Sequence, residues 1–258
     1  MLHAVKIKVL NGGEVGNQIL NIAHRGSRFR SPENTLASFH RAISEGADYL
    51  ELDVRLTGDG HVVVAHDARL NRTSNGSGRI RRQELKQLKS LDFGNWFHQD
   101  FKNETMPTLE EVLETFPSTG LNIEIKAPGM EPQLASLLSK YNTRTNIIVS
   151  SFFMNILKRV QDLDPKLPLG LVISQRFGWR RKIRRCGELG LFSLHMEQRL
   201  VNSETVELAN HAGLKMIPWT NRVLTDQRVS ELVSLGIYGF INDFPEQLPR
   251  VYSSCFKE

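Results

Sequence analysis

Two histidines and two carboxylates, His24, Glu51, Asp53 and His66, fall within one short stretch near the start of the chain. Each sits in, or at the end of, an apolar run with strand character, so the four side chains can converge at one edge of a sheet. Strand side chains alternate, which puts Glu51 and Asp53 on one face and Leu50, Leu52 and Val54 on the other. Adjacent carboxylates repel. A solvated face, a partner Arg or Lys, or a metal ion must accommodate them. Histidine titrates near neutral pH and is the usual side chain for general acid and base work.

The same phase recurs in a later run, where Asn122, Glu124 and Lys126 share one face opposite Ile123 and Ile125. In a barrel both faces of a strand are covered, so a polar row of this kind fills the interior near the mouth instead of meeting solvent.

The first of these runs, Gln18 to Ala23, turns through His24-Arg25-Gly26. A helix should follow, capped by Ser31, with Pro32 in its first turn, an apolar face of Leu36, Phe39 and Ile43, and Gly46 at its end. Strand Tyr49 to Leu56 carries the acid pair. Gly58-Asp59-Gly60 makes a tight turn into a hairpin-like strand, His61 to His66. From about 67 to 107 the pattern is polar, with a basic helix over Glu84 to Leu91 and the aromatics Phe93, Trp96, Phe97 and Phe101. Such a stretch is an excursion from the main fold, a lid or subdomain, and its aromatics serve to pin it down.

Beyond Pro107, apolar runs beginning near 121, 146, 168, 191, 214 and 238 alternate with helical patterns. Strands and helices in that rhythm imply parallel β/α units, and with the runs at 18 and 49 they number eight. The expected fold is an α/β TIM (β/α)8 barrel, a single domain over 1–258 with a small insertion after the second barrel strand. The C-terminal strand ends then carry the chemistry.

Composition is ordinary for a globular protein: 258 residues, 40% hydrophobic and 24% charged, with a net charge of +5. The small basic excess favours anionic ligands, and no nucleic-acid motif accompanies it. Cys186 and Cys255 form no disulfide framework and no zinc spacing. The weakly patterned residues 1 to 17 lack a leader pattern, and no apolar run reaches the ~18 residues of a membrane span. A cytoplasmic protein without stable membrane insertion is expected. His195, at the end of the sixth barrel strand, is either structural or a mouth contact. His40 and His211 belong to outer helix faces. The basic run Trp179 to Arg185 suits an acidic headgroup or, more simply, a solvated helix face.

Together these stretches resemble the glycerophosphodiester phosphodiesterase family. The likeness rests on His24-Arg25, Pro32-Glu33-Asn34-Thr35, Glu51-Leu52-Asp53, His66-Asp67, Leu70-Asn71-Arg72-Thr73, Gly76-Ser77-Gly78, Pro107-Thr108-Leu109-Glu110-Glu111, Glu124-Ile125-Lys126, Pro218-Trp219-Thr220 and Asn242-Asp243-Phe244-Pro245. The resemblance implies a divalent cation, Mg2+ or Ca2+, held by Glu51, Asp53 and Glu124. It implies His24 and His66 as the acid/base pair, Arg25 and Lys126 as phosphate contacts, and Trp219 against the glycerol moiety. The reaction implied is hydrolysis of small glycerophosphodiesters, such as glycerophosphocholine or glycerophosphoethanolamine, to sn-glycerol 3-phosphate and an alcohol. The resemblance further implies that a cyclic phosphate forms first, by attack of the glycerol 2-hydroxyl, and is then opened by water. The chain departs from the family at Asn221-Arg222, where Val-Asn is common after Trp-Thr, at Gly236-Ile237-Tyr238-Gly239, and at Asn242, where Thr is frequent. Two rival functions share the scaffold: a lipid-cleaving lysophospholipase D or sphingomyelinase D, and a catalytically silent binding module. The first requires an apolar approach to a membrane, and the second would be expected to lack a histidine or an acid.

Overall fold

The computed structural model describes residues 19–141 and 146–255. The lead-in expected over 1 to 17 and Gln18 of the first strand lie outside the described residues. The strands are β1 (Leu20–His24), β2 (Tyr49–Leu56), β3 (Val62–Val64), β4 (Gly120–Ile125), β5 (Ile147–Ser151), β6 (Leu169–Ile173), β7 (Ser193–Met196), β8 (Lys215–Met216) and β9 (Gly239–Asn242). Eight of them run parallel in the order β8-β7-β6-β5-β4-β2-β1-β9, and β3 pairs antiparallel with β2 as a hairpin. The expected eight-stranded barrel is present and nearly closed.

Closure falls to the shortest strand. β8 spans only Lys215–Met216, and Pro218, on the side facing β9, has no N–H to donate. The gap is bridged by Tyr238 N–H to the Met216 carbonyl (2.8 Å) and Ile241 N–H to the Pro218 carbonyl (2.9 Å), with Trp219 paired between Glu197 and Ile241.

The eight strands carry two apolar sets. Leu50, Leu52, Val54, Leu121, Ile123 and Ile125 belong to the core under the surrounding helices. Ile22, Tyr49, Ile148, Ile217 and Ile241 form a separate cluster that floors the barrel. Polar residues on the inward phase sit above that floor, toward the C-terminal strand ends.

The helices are α1 (Leu36–Ser44), α2 (Leu85–Lys89), α3 (Leu109–Thr115), α4 (Glu131–Lys140), α5 (Met154–Leu163), α6 (Trp179–Glu188), α7 (Ser203–His211), α8 (Asp226–Ser234) and α9 (Gln247–Cys255). The first begins later than Ser31 and Pro32 suggest. Thr35 is its cap, in a capping box with Ser38. The reason lies one residue earlier: Asn34 adopts φ 59°, a left-handed conformation no helical turn contains. Phe39 and Ala42 bury its inner face, whereas Ile43 is exposed.

Between Ala65 and Pro107 the chain builds a small cluster of its own from Leu70, Ile80, Leu88, Phe93 and Met106, packed with Val63 of β3. Trp96 donates its indole N–H to the Phe93 carbonyl (2.8 Å), and Phe97 meets Phe101 edge to face at 5.7 Å. The aromatics therefore hold the excursion together.

Candidate active site

Strand register assembles the site. His24 pairs with Glu51, Glu51 with Asn122, and Asp53 with Glu124, so one row of inward side chains crosses β1, β2 and β4. Glu51, Asp53 and Glu124 are buried and offer oxygens that all lie within 4.8 Å of one another. Lys126 Nζ sits 2.5 Å from Glu124 and 3.2 Å from Asp53. Arg25 Nε lies 3.2 Å from Asp53, and the Arg25 backbone N–H donates to Glu51 (2.9 Å).

That last bond depends on an unusual turn. Arg25 has φ 56° and Gly26 φ 77°. A Cβ on Gly26 would fall 2.4 Å from Ser38 Oγ, so only glycine lets the loop close onto α1. A non-glycine residue held at positive φ costs free energy, and such strain concentrates where geometry serves a site.

Burial and neighbouring carboxylates set the charges. Burial pushes Glu51 well above the usual carboxylate range, and Asp53 and Glu124 push it further. Burial and Asp53 raise Glu124 to about 7 against the pull of Lys126. Burial also opposes ionisation of Asp53, but Arg25 and Lys126 outweigh it and hold that carboxyl low. Three carboxylates against two cations leave an unneutralised buried acid, and hard oxygen donors suit a divalent cation of the Mg2+ or Ca2+ type. The donor set fits the ion that the resemblance implies.

The two histidines flank this triad and are braced alike. His24 Nδ1 lies 2.7 Å from Asp243 Oδ1, and Arg28 Nε is 3.0 Å from the same oxygen. His66 Nδ1 lies 2.7 Å from Asp67 Oδ1. In each ring the bond at Nδ1 leaves Nε2 for a reacting group. Burial lowers both rings' pKa; Asp243 opposes that at His24, where Arg25 and Arg28 add to it, and Asp53 opposes it at His66. The neutral form therefore dominates near pH 7, more so than for a free histidine.

A charged chain ties the excursion to this centre. Arg72 bonds Asp67 (2.8 Å) and forks onto both oxygens of Glu33 (2.7 and 2.8 Å), and Glu33 bonds Arg25 (3.0 Å). Arg55 holds the His66 carbonyl through its guanidinium, with Nε at 2.8 Å. Asn34 donates to Asp53 (2.9 Å), which accounts for its left-handed backbone.

Of the residues singled out from sequence, His24, Arg25, Glu51, Asp53, His66, Glu124 and Lys126 meet here. Trp219 stands beside them, its indole N–H on the Ile173 carbonyl (3.3 Å) and its ring edge to face with Phe152 at 6.4 Å, while Phe152 lies 5.5 Å from Lys126 Nζ. His195 does not reach the mouth. It is fully buried, bonds Ser193 Oγ (2.9 Å), and has its pKa lowered to about 3 by burial. His40 and His211 are exposed on helices. Sequence reasoning assigned no role to Asp243, Asn34, Glu33, Arg55 or Arg72, although four of the five lie within the motifs quoted above.

The glycerophosphoryl diester phosphodiesterase family model matches residues 24–247. A glycerophosphodiester phosphodiesterase of Caldanaerobacter subterraneus is 38% identical over 238 residues, covering 89% of this chain and 96% of the relative. One from Bacillus subtilis is 30% identical over 256 residues, 91% of this chain and 87% of the relative. Among solved structures, an Oleispira antarctica phosphodiesterase in complex with the product sn-glycerol-3-phosphate aligns with TM-score 0.80 at 32% identity, covering 90% of this chain and 96% of that one.

Proposed function

The chain belongs to the glycerophosphoryl diester phosphodiesterase family, a family of hydrolases, and on that premise we propose that it cleaves small glycerophosphodiesters to sn-glycerol 3-phosphate and an alcohol. The observation that carries this reading is the buried triad Glu51, Asp53 and Glu124 flanked by two histidines, each braced at Nδ1 by a carboxylate. The Oleispira antarctica protein's product is the one proposed here.

Glu51, Asp53 and Glu124 would hold Mg2+ or Ca2+. When bound, the ion supplies Lewis-acid neutralisation of phosphate oxygen charge. Arg25 and Lys126 add fixed positive charge where negative charge builds up on the phosphoryl oxygens of the pentacoordinate phosphorane. His24, the more buried ring and the one beside two arginines, is the base that takes the proton of the attacking hydroxyl through Nε2. His66 faces the Asp53 charge, which offsets part of the burial that lowers its pKa, and it is the group that donates a proton to the departing alkoxide. Attack by the glycerol 2-hydroxyl forms the cyclic phosphate and releases the alcohol. Water then opens the ring with the histidine roles reversed. Trp219 packs the glycerol. The free, buried Cys186 is in keeping with a cytoplasmic enzyme.

Release of sn-glycerol 3-phosphate from glycerophosphocholine and glycerophosphoethanolamine, with Mg2+ or Ca2+ and again with chelator, tests the reading. Metal-dependent release supports it. No release with either ion, but choline release from a lysolipid, would transfer the site to lipid cleavage.

A further inference from the structure

Among the described residues the exposed large apolar side chains Ile43, Leu163 and Leu208 stand singly on helices and Trp96 in the excursion, but the other five share one end of the barrel. Phe29, Phe152, Phe153, Phe177 and Val223 all lie on loops that leave the C-terminal strand ends, the face that holds the catalytic side chains. Phe177 is 92% exposed and Val223 67%. Taken in barrel order, the loops after β5, β6, β7, β8, β9 and β1 form an arc, with apolar tips on all but the β7 loop, in which Phe244 stacks on Phe29 at 4.8 Å. The excursion that follows β3 stands over the other side of the mouth, between β2 and β4.

The arc is also basic. In three loops an arginine directly precedes the apolar tip: Arg28-Phe29, Arg176-Phe177 and Arg222-Val223. Outside the excursion, the carboxylates of these loops, Glu33, Glu197, Asp243 and Glu246, each lie against an arginine. Among the described residues Arg176 and Arg222 form no ion pair. Helix α6 starts at the same rim with no acidic residue in its first turn, and Arg181 and Lys182 are exposed there.

We propose that this arc docks the barrel mouth on an anionic lipid bilayer. Aromatic and aliphatic tips on separate loops can enter the acyl boundary while the neighbouring guanidinium groups stay at the level of the lipid phosphates. Charge complementarity selects this occupant: among the described residues the exposed Arg176 and Arg222, with no carboxylate partner, adjoin the apolar tips Phe177 and Val223, and net neutral surfaces lack the opposite charge. Docking is peripheral, because among the described residues no helix is long and apolar enough to cross a membrane.

The test is sedimentation of the protein with vesicles of phosphatidylcholine alone, and with a third of the lipid replaced by phosphatidylglycerol. Binding to the anionic vesicles that weakens with salt, and that drops about tenfold in both Phe177→Ser/Val223→Ser and Arg176→Glu/Arg222→Glu, supports the proposal. Both variants should keep the wild-type melting temperature and turnover of soluble glycerophosphocholine. No binding to anionic vesicles, or equal binding by the variants, overturns it. So does a dimer in light scattering that Phe177→Ser/Val223→Ser converts to monomer, which would make the arc a self-association face. Vesicle binding is read without turnover, so its outcome is independent of the reaction proposed above.

Discussion

Asp243, at the end of the last barrel strand, holds the Nδ1 of His24, at the end of the first, at 2.7 Å across 219 residues of sequence. The bond occupies Nδ1, leaves Nε2 for the reacting group in the proposed mechanism, and offsets the burial that lowers the ring's pKa. Closing the barrel therefore completes the proposed catalytic group.

Asp243→Asn should keep the fold and lower kcat by about 10²–10⁴-fold with little change in KM, because the ring loses its tautomer and orientation without losing its place. The pH profile supplies a second readout. His24 must be neutral to act as base, and its pKa is already lowered, so the acid limb of kcat/KM should lie below pH 6.5. Removing Asp243 takes away a contribution that raises the pKa, so the limb should move to still lower pH. An unchanged kcat and limb would detach Asp243 from the mechanism.

Arg72 links the excursion to the centre through Asp67 and Glu33. It is 44% exposed on its side chain, so its ion pairs contribute little to stability. Arg72→Met should leave the melting temperature within a degree or so while lowering kcat/KM by about tenfold, since both His66 and Arg25 lose a brace. Arg72→Lys should recover only part, because one ammonium cannot fork onto both Glu33 oxygens. Full recovery by lysine would reduce the role of Arg72 to charge alone.

The acid triad couples stability to pH. Glu51 and Glu124 have folded-state pKa values raised above their ordinary 4.5, Glu124 to about 7. The folded protein then binds more protons than the unfolded chain, so metal-free stability falls as pH rises from about 4.5 through 7. Asp53, held low, works in the opposite sense and only in acid. Thermal melting in chelator should show that decline. Added Mg2+ or Ca2+ should raise the melting temperature more at pH 7.5 than at pH 5, because binding requires the ionised carboxylates. A metal-induced rise independent of pH would place the ion elsewhere.

Much of this centre was legible in the sequence. Two-residue alternation placed Glu51 with Asp53, and Glu124 with Asn122 and Lys126, on one face of each strand, the family resemblance joined the three acids into one set, and the strand rhythm after Pro107 pointed to the barrel. What stayed hidden was long-range or conformational. Asp243 lies too far along the chain for spacing to connect it to His24. Ser31 and Pro32 mimic a helix start, yet Asn34 must turn left-handed to reach Asp53, which delays α1 to Leu36. His195 occupies a strand-end position like those of His24 and His66. Its ring is directed to Ser193 inside the barrel, a distinction that only register reveals.

Gly26 offers a local test of the strained turn. Gly26→Ala places a methyl 2.4 Å from Ser38 Oγ at a φ of 77°. A loss of about 2 kcal/mol or more in unfolding free energy is expected from strain and overpacking. Denaturant unfolding would read it, and a neutral substitution would show that the loop relaxes without cost.

The most direct test separates holding the cation from moving protons. Calorimetric titration of Mg2+ or Ca2+ should be run on wild type, His24→Ala, His66→Ala and Glu124→Gln, alongside sn-glycerol 3-phosphate release from glycerophosphocholine. The histidine variants should bind the ion as wild type does and lose turnover by about 10²-fold or more, whereas Glu124→Gln should lose both. A histidine variant that binds the ion and still turns over at the wild-type rate would contradict the division of labour between triad and histidines.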